Sequence, residues 1–248
     1  MDIATKVGTT TMYNYLRKFG INEKTGVDLV GEGKGIMLNE SIVKNVDLAR
    51  IGFGQAVAVT PIGLCSAVSS CINGGNKITP YILNNITDSN FGVVQGNTPM
   101  VGGRVISKTT SDKVKEMLYG VVENGSGKYA YIPGYKIGGK TGTAQKYENG
   151  VIARGKYVSS FLGFMSYGND DYLCLMTVDE PVGYVYYGSL VAGPYVGELF
   201  ANIINYKGYK PQYSENDLKV LVKITPMPNL MDMSVEEAIK VLKNLGIP

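Results

Sequence analysis

Three strand-like stretches follow one another with only short connections, and that run fixes most of what the chain can become. Tyr135 to Lys146, Tyr157 to Met165 and Tyr172 to Val178 are strand candidates in sequence, the last two rich in aromatic and aliphatic residues. Asn149-Gly150 lies in the first connection and Gly168-Asn169-Asp170 in the second, both short enough for hairpins. An antiparallel three-strand meander is expected. At about 190–204 the period changes to that of a helix, and Val196, Leu199, Phe200, Ile203 and Ile204 give an apolar stripe that needs a sheet face to cover it. The fold class is therefore α/β in the α+β sense, an antiparallel sheet with packed helices.

The region before the sheet reads as helices and loops. Residues 9–19 carry Met12, Leu16 and Phe19 on one face, with Thr9 or Thr10 as a cap and Gly20 at the end. Residues 20–36 are glycine-rich loop. Thr60-Pro61 opens a helix over 61–73, where proline's missing N–H costs nothing, and Gly74-Gly75 closes it. A partial or edge strand is expected over 78–83 because Pro80 interrupts it. Val114, Leu118 and Val121 mark a helix over 110–124. Beyond the sheet, 205–223 is polar and reads as a linker. From 224 to 248 a separate unit begins, with Ser234 and Glu237 spaced as a capping box and Val235, Ala238, Leu242 and Leu245 as a stripe before Gly246.

Composition excludes several chemistries. The chain of 248 residues contains no histidine, so the commonest general base and metal ligand are both absent. Ser-His-Asp and Cys-His catalysis and His-ligated zinc are ruled out. Acyl transfer here must use lysine, tyrosine or a carboxylate as its base. No cofactor or metal is expected: Cys65, Cys71 and Cys174 lack C-x-x-C spacing and read as small core residues. The net charge of +3 comes with no run of Lys and Arg, which gives no reason to expect nucleic acid. No stretch reaches the roughly 20 apolar residues of a membrane span, and the N-terminus carries no signal peptide.

The chemistry-bearing stretch is Gly138-Gly139-Lys140-Thr141-Gly142-Thr143-Ala144. Glycine in a strand often marks a close approach to the backbone. Lys140 offers a cation to a carboxylate, Thr141 and Thr143 offer hydroxyls, and the Thr143 backbone N–H could serve an oxyanion. Residues 134–141 also fit the G-x-x-x-x-G-K-[ST] phosphate loop, with Asp179-Glu180 mimicking an acidic strand end. A phosphate loop must open a helix directly after its lysine. Here Gly142, Gly150 and Gly155 interrupt the next stretch at a cost of about 1 kcal/mol each in a helix, so the match reads as coincidence.

Lys140-Thr141-Gly142 is also a signature of penicillin-binding proteins and serine β-lactamases. Phe53-Gly54-Gln55, Val59-Thr60-Pro61, Lys24-Thr25-Gly26-Val27-Asp28-Leu29, Asn73-Gly74-Gly75, Thr79-Pro80-Tyr81 and Gly125-Ser126-Gly127 extend the likeness over nearly the whole chain. The sequence resembles the C-terminal part of a class B penicillin-binding protein, a peptidoglycan D,D-transpeptidase of division or sporulation type. Residues 1–204 would be part of its transpeptidase domain, with the penicillin-binding/serine β-lactamase-like fold incomplete. Met227 to Ala238 resembles the opening of a cell-wall-binding PASTA module, truncated, and departs from it at Asp232, where glycine is usual.

The family uses S-x-x-K, S-x-N and K-T-G. Ser41 and Lys44 satisfy the first pattern and Ser214 and Asn216 the second, but both lie out of order along the chain. Met1-Asp2-Ile3-Ala4 resembles the helix that follows S-x-N, so the nucleophile is expected upstream and none in this chain. The resemblance implies serine attack on a D-Ala-D-Ala stem peptide, with an acyl-enzyme resolved by an amine of a neighbouring strand. Lys140, Thr141, Gly142, Thr143 and Ala144 would bind the substrate or a β-lactam, and the Thr143 N–H would supply half of the oxyanion hole. Partners would be stem peptides, β-lactams and the upstream half of the same enzyme. The intact protein would stand on the outer face of the cytoplasmic membrane through an anchor outside this chain. A non-catalytic peptidoglycan- or β-lactam-binding module is the alternative. Both readings predict that ATP with magnesium does not bind; saturable binding by calorimetry would revive the phosphate loop.

Overall fold

The computed structural model describes residues 1–149, 151–221 and 227–245. Helices α1 (Asp2–Val7) and α2 (Thr9–Lys18) open it. Gly8, at φ +81°, precedes α2, and neither Thr9 nor Thr10 caps it. A loop leads to β1 (Ile36–Met37), α3 (Asn45–Ile51) and β2 (Val57–Ala58), with β1 and β2 paired antiparallel. Helix α4 (Pro61–Ile72) starts where expected, the Thr60 hydroxyl accepting from the Gly63 N–H at 3.2 Å.

Strand β3 (Asn76–Thr79) begins earlier than expected and stops at Pro80, which has no N–H to give a ladder. Strands β4 (Asn85–Thr87) and β5 (Val93–Gly96) form an exposed hairpin, and β6 (Met100–Arg104) returns to pair with β3. Helix α5 (Lys108–Glu123) is capped by the Ser107 hydroxyl, which accepts from the Thr110 N–H at 3.1 Å.

The main sheet is the expected meander: β7 (Ile137–Glu148), β8 (Val151–Tyr167) and β9 (Asp170–Asp179), antiparallel in that order. The Glu148–Val151 pair leaves two residues for the first turn. Asn149 sits there at φ +51°, and Gly150 lies outside the described residues. The helix expected at 190–204 is two, α6 (Gly188–Val191) and α7 (Gly193–Lys207). Pro194 explains the break, since a proline cannot donate to the preceding turn and clashes with its carbonyl.

Strand β8 is central, and its run Phe161 to Met165 is buried on both faces. On one face Phe161 and Met165 pack with Val196, Phe200 and Ile204 of α7, together with Val122, Ala130 and Ile137. On the other, Phe164 packs with Tyr119 of α5, ring centroids 5.2 Å apart, and Ile72 of α4. Each such ring contributes about 1.5–3 kcal/mol by leaving water. Leu199, placed in the stripe by its spacing, is 43% exposed instead. The three cysteines are free and half-buried, and burial pushes each thiol pKa up.

The segment read as a linker is packed on the domain through residue 221. Tyr209 stacks on Tyr167 at 4.0 Å, and the Gln212 N–H donates to the Gly134 carbonyl at 2.8 Å. Helix α8 (Glu215–Leu221) brings in Asp217, a buried carboxylate that accepts from the Tyr131 hydroxyl and, at 2.6 Å, from the Ser214 N–H. A few directed bonds and one ring stack hold a stretch whose polarity suggested solvent. Further on, α9 (Val235–Asn244) has the expected capping box, Ser234 N–H to Glu237 at 2.9 Å, and buries none of its residues. Gly246, the expected end of its stripe, lies outside the described residues. Asp232 has φ +66°, the left-handed conformation that favours glycine.

Burial works against ionisation of Asp217, but the hydrogen bonds from Tyr131 and Ser214 outweigh it and hold its pKa at about 2. The packed state therefore favours the charged carboxylate. Its contribution is complete above the ordinary carboxylate pKa of about 3.9 and is lost as pH falls toward 2. Amide hydrogen-exchange protection at 212–218 should weaken over that window. Tyr131→Phe should cost about 1.5–3 kcal/mol, the worth of a hydrogen bond to a charged group, and shrink the pH step, the bonds from Ser214 remaining.

Candidate active site

The glycines of β7 answer to two phenylalanines. A Cβ at Gly138 would strike the ring of Phe164, and one at Gly139 would stand 2.6 Å from Phe161 Cζ and 2.8 Å from the Leu162 carbonyl. On β8, Gly163 has the same constraint, its missing Cβ falling 2.6 Å from Val196 Cγ1. The rings that fill the core on either side of β8 thus press directly beneath β7. The close approach that the glycines suggested comes, at these positions, from the protein's own core.

Lys140, Thr141, Gly142 and Thr143 lie in the middle of β7, which among the described residues has a strand neighbour on one side only. In an antiparallel ladder, alternate residues turn both N–H and C=O toward the neighbour and away from it. The Thr141 carbonyl accepts from Lys140 Nζ at 2.7 Å and so belongs to the outward set. Thr143, two residues on, shares that orientation, which aims its N–H at the open edge. The side chains of Thr141 and Thr143 are half-buried. Thr141 Oγ1 lies 3.3 Å from Ser126 Oγ, and Thr143 Oγ1 accepts from the Gly188 N–H at 3.1 Å.

Beside Lys140 opens a cleft of about 310 Å³. Leu64, Val68 and Cys71 of α4 and Val114 and Leu118 of α5 form one wall, and Leu162 and Leu175 of the sheet form another. Lys140 is the one charged group among the described residues lining it. Lys146, further along β7, is by contrast spoken for: it pairs with Glu180 at 2.7 Å and Asp179 at 2.9 Å, which raises its pKa. An apolar cleft with a single cation and the hydroxyls of Thr141 and Ser160 in its lining suits an anionic end on an otherwise uncharged ligand, and Thr143 lies just beyond that lining. A slightly larger cavity, about 360 Å³, lies beside Tyr131 and Asp217 and contains none of the Lys-Thr-Gly residues.

The two stray serine motifs serve local structure. The Ser41 hydroxyl donates to Asn39 Oδ1 at 3.0 Å in a 3-10 turn, and the Lys44 N–H bonds Asp47 at 3.1 Å at the start of α3. Neither lines the Lys140 cleft. Ser214 and Asp217 cap α8 reciprocally. Lys140-Thr141 opens no helix, which disposes of the phosphate loop. Spacing gave no notice of Ser126, Ser160 or Gly188 as neighbours of the strand. Ser126 stands in the sequence only as part of a glycine motif, and the other two come close through sheet register and a long connection.

The Penicillin binding protein transpeptidase domain family matches residues 1–205, and the chain belongs to that family. Among its relatives, stage V sporulation protein D of Bacillus subtilis (strain 168) is 35% identical over 255 residues, which takes in the whole chain and 39% of that protein. Probable peptidoglycan D,D-transpeptidase PenA of Neisseria gonorrhoeae is 27% identical, over 84% of the chain and 34% of its own length. Of solved structures, penicillin-binding protein 3 of Mycobacterium tuberculosis complexed with ampicillin superposes with a TM-score of 0.76 at 25% identity, covering 85% of this chain and 49% of that one. The apo transpeptidase domain of Burkholderia pseudomallei penicillin-binding protein 3 gives 0.73 at 26%, over 86% and 62%. The chain thus spans well under half the length of these curated relatives.

Gly139→Ala should cost about 1–3 kcal/mol by forcing the Phe161 ring out of place. Gly103→Ala on β6, where a Cβ meets nothing within 4 Å, is the neutral comparison. Urea midpoints for the two variants check this; equal midpoints would contradict the packing described.

Proposed function

We propose that this chain forms one wall of the active site of a serine-type peptidoglycan D,D-transpeptidase that also binds penicillin. The observation that carries the reading is the placement of Lys140-Thr141-Gly142-Thr143 on an open sheet edge beside an apolar cleft. Lys140 and the hydroxyls of Thr141 and Thr143 bind the terminal carboxylate of a D-Ala-D-Ala stem peptide, or that of a β-lactam. Gly142 and Ala144 keep the backbone accessible between them. The Thr143 N–H donates to the carbonyl oxygen as it gains charge, a donor worth about 3 kcal/mol of barrier.

The nucleophile comes from a region upstream of this chain, as a serine with a lysine three residues on. Such a lysine takes the serine proton without any histidine. Serine oxygen then bonds to the penultimate D-Ala carbonyl carbon, the terminal D-Ala leaves with a proton on its nitrogen, and an amine of a second stem peptide displaces the serine. The segment bearing that serine would lie in the cleft, covering Leu64, Val68, Val114, Leu118 and Leu162. The chain by itself would then be inactive and of low stability. Stem peptides lie outside the cytoplasmic membrane, so the assembled enzyme works on its outer face. The unit after residue 224 would be the start of a PASTA module.

Two measurements check this. Intact mass after incubation with a penicillin should show no adduct on the chain alone; a stoichiometric adduct mapped to one of its serines would sink the proposal of an upstream nucleophile. In a protein that joins the chain to its upstream region, Lys140→Ala should slow acylation about 10- to 100-fold, in keeping with loss of a bond between charged groups. Its thermal midpoint should scarcely move, since Lys140 is exposed.

A further inference from the structure

The connection between β9 and α6 crosses the strand pair at a single register position. Thr143 and Ser159 are partners across β7 and β8. Ser159 is completely buried, and its hydroxyl donates to the Tyr186 carbonyl. Two residues later the Gly188 N–H donates to Thr143 Oγ1 at 3.1 Å. These two bonds hold the segment 181–188 to both members of the pair. Position 188 also has a steric requirement: a Cβ there would fall on the carbonyl oxygens of Gly142 and Ser160, and both are backbone atoms that cannot swing aside.

A threonine hydroxyl has one proton to give and two lone pairs to offer. The Gly188 N–H occupies one lone pair, which fixes the position of Oγ1 and leaves the proton for an acceptor on the side away from Gly188. A donor into the oxygen also strengthens the O–H as a donor in turn. We propose that Gly188 is a positioning residue: its N–H commits the Thr143 hydroxyl to donating toward the substrate's terminal carboxylate, and the Ser159–Tyr186 bond keeps it in place. This rests on the reading of Thr143 as a carboxylate ligand. It adds a residue 45 positions away in sequence that contacts no substrate itself.

The experiment uses a protein joining this chain to its upstream region and compares acylation by a penicillin with acylation by the same penicillin's methyl ester. The ester has no carboxylate for Thr143 to hold. Gly188→Ala should slow acylation by the acid about tenfold more than it slows acylation by the ester, tenfold being the scale of one lost hydrogen bond to a charged group. Ser159→Ala loosens the same segment without adding an atom and should act in the same direction; it carries the test if Gly188→Ala does not fold. In a Thr143→Val background neither change should slow the acid further. Equal slowing of acid and ester, additive losses in the Thr143→Val background, or unchanged rates for both variants would each overturn the inference. Failure of the unsubstituted protein to be acylated would instead overturn the proposed function, and this inference with it.

Discussion

The contact between the rings of Phe161 and Phe164 and the bare backbone of β7 governs the rest of the molecule. The two rings leave opposite faces of β8, one into the cluster under α7 and one into the cluster under α4 and α5. Because Gly138 and Gly139 present no side chains, both rings can reach across beneath the edge strand. The edge is therefore anchored by core packing rather than by a second neighbour. That leaves its outer hydrogen-bonding side without a strand partner among the described residues, while the register with β8 runs unbroken through Thr143. Positioning of this kind relies on burial, about 25 cal/mol per Å² of apolar surface, and makes little demand on the polar groups of the site.

Polar groups then work on a finer scale around that strand. Ser126 and Gly188 come from two different connections and meet it at Thr141 and at Thr143, while Ser159 of β8, the partner of Thr143, holds the second connection through the Tyr186 carbonyl. Lysines elsewhere on β7 and β8 are tied up by carboxylates, Lys146 with Asp179 and Glu180, and Lys156 with Glu148 at 2.6 Å. These pairs are exposed and add little stability. Their effect is to leave Lys140 as the one lysine of β7 and β8 without a carboxylate partner among the described residues.

Much of this was legible in the sequence wherever a local rule decided the outcome. The meander followed from three strand-like runs with short turns, and Thr60-Pro61 and Ser234 with Glu237 marked helix starts through capping alone. The Lys-Thr-Gly strand stood out by its residues. What stayed hidden depended on partners distant in sequence. Gly188 looks like any loop glycine until register brings Thr143 and Ser160 beneath it. Residues 205–221 looked like a linker because their attachment rests on Tyr209 against Tyr167 and Tyr131 against Asp217, and neither pair leaves a periodic trace. Pro194 was visible, yet the apolar stripe around it outweighed its meaning as a break.

An unpaired strand edge carries a risk as well as a use. The same outward N–H and C=O groups that the proposed function assigns to a stem peptide would accept the edge of another folded molecule, which is how sheets join and aggregate. Lys140 at the middle of the edge opposes that meeting, because two antiparallel copies paired about it would set two ammonium groups together. Glycine at 138, 139 and 142 lowers the strand's own tendency to pair. If the proposed function holds, the residues that would select a short anionic peptide are also those that turn away a second sheet, so solubility and selectivity could not be altered independently along this strand.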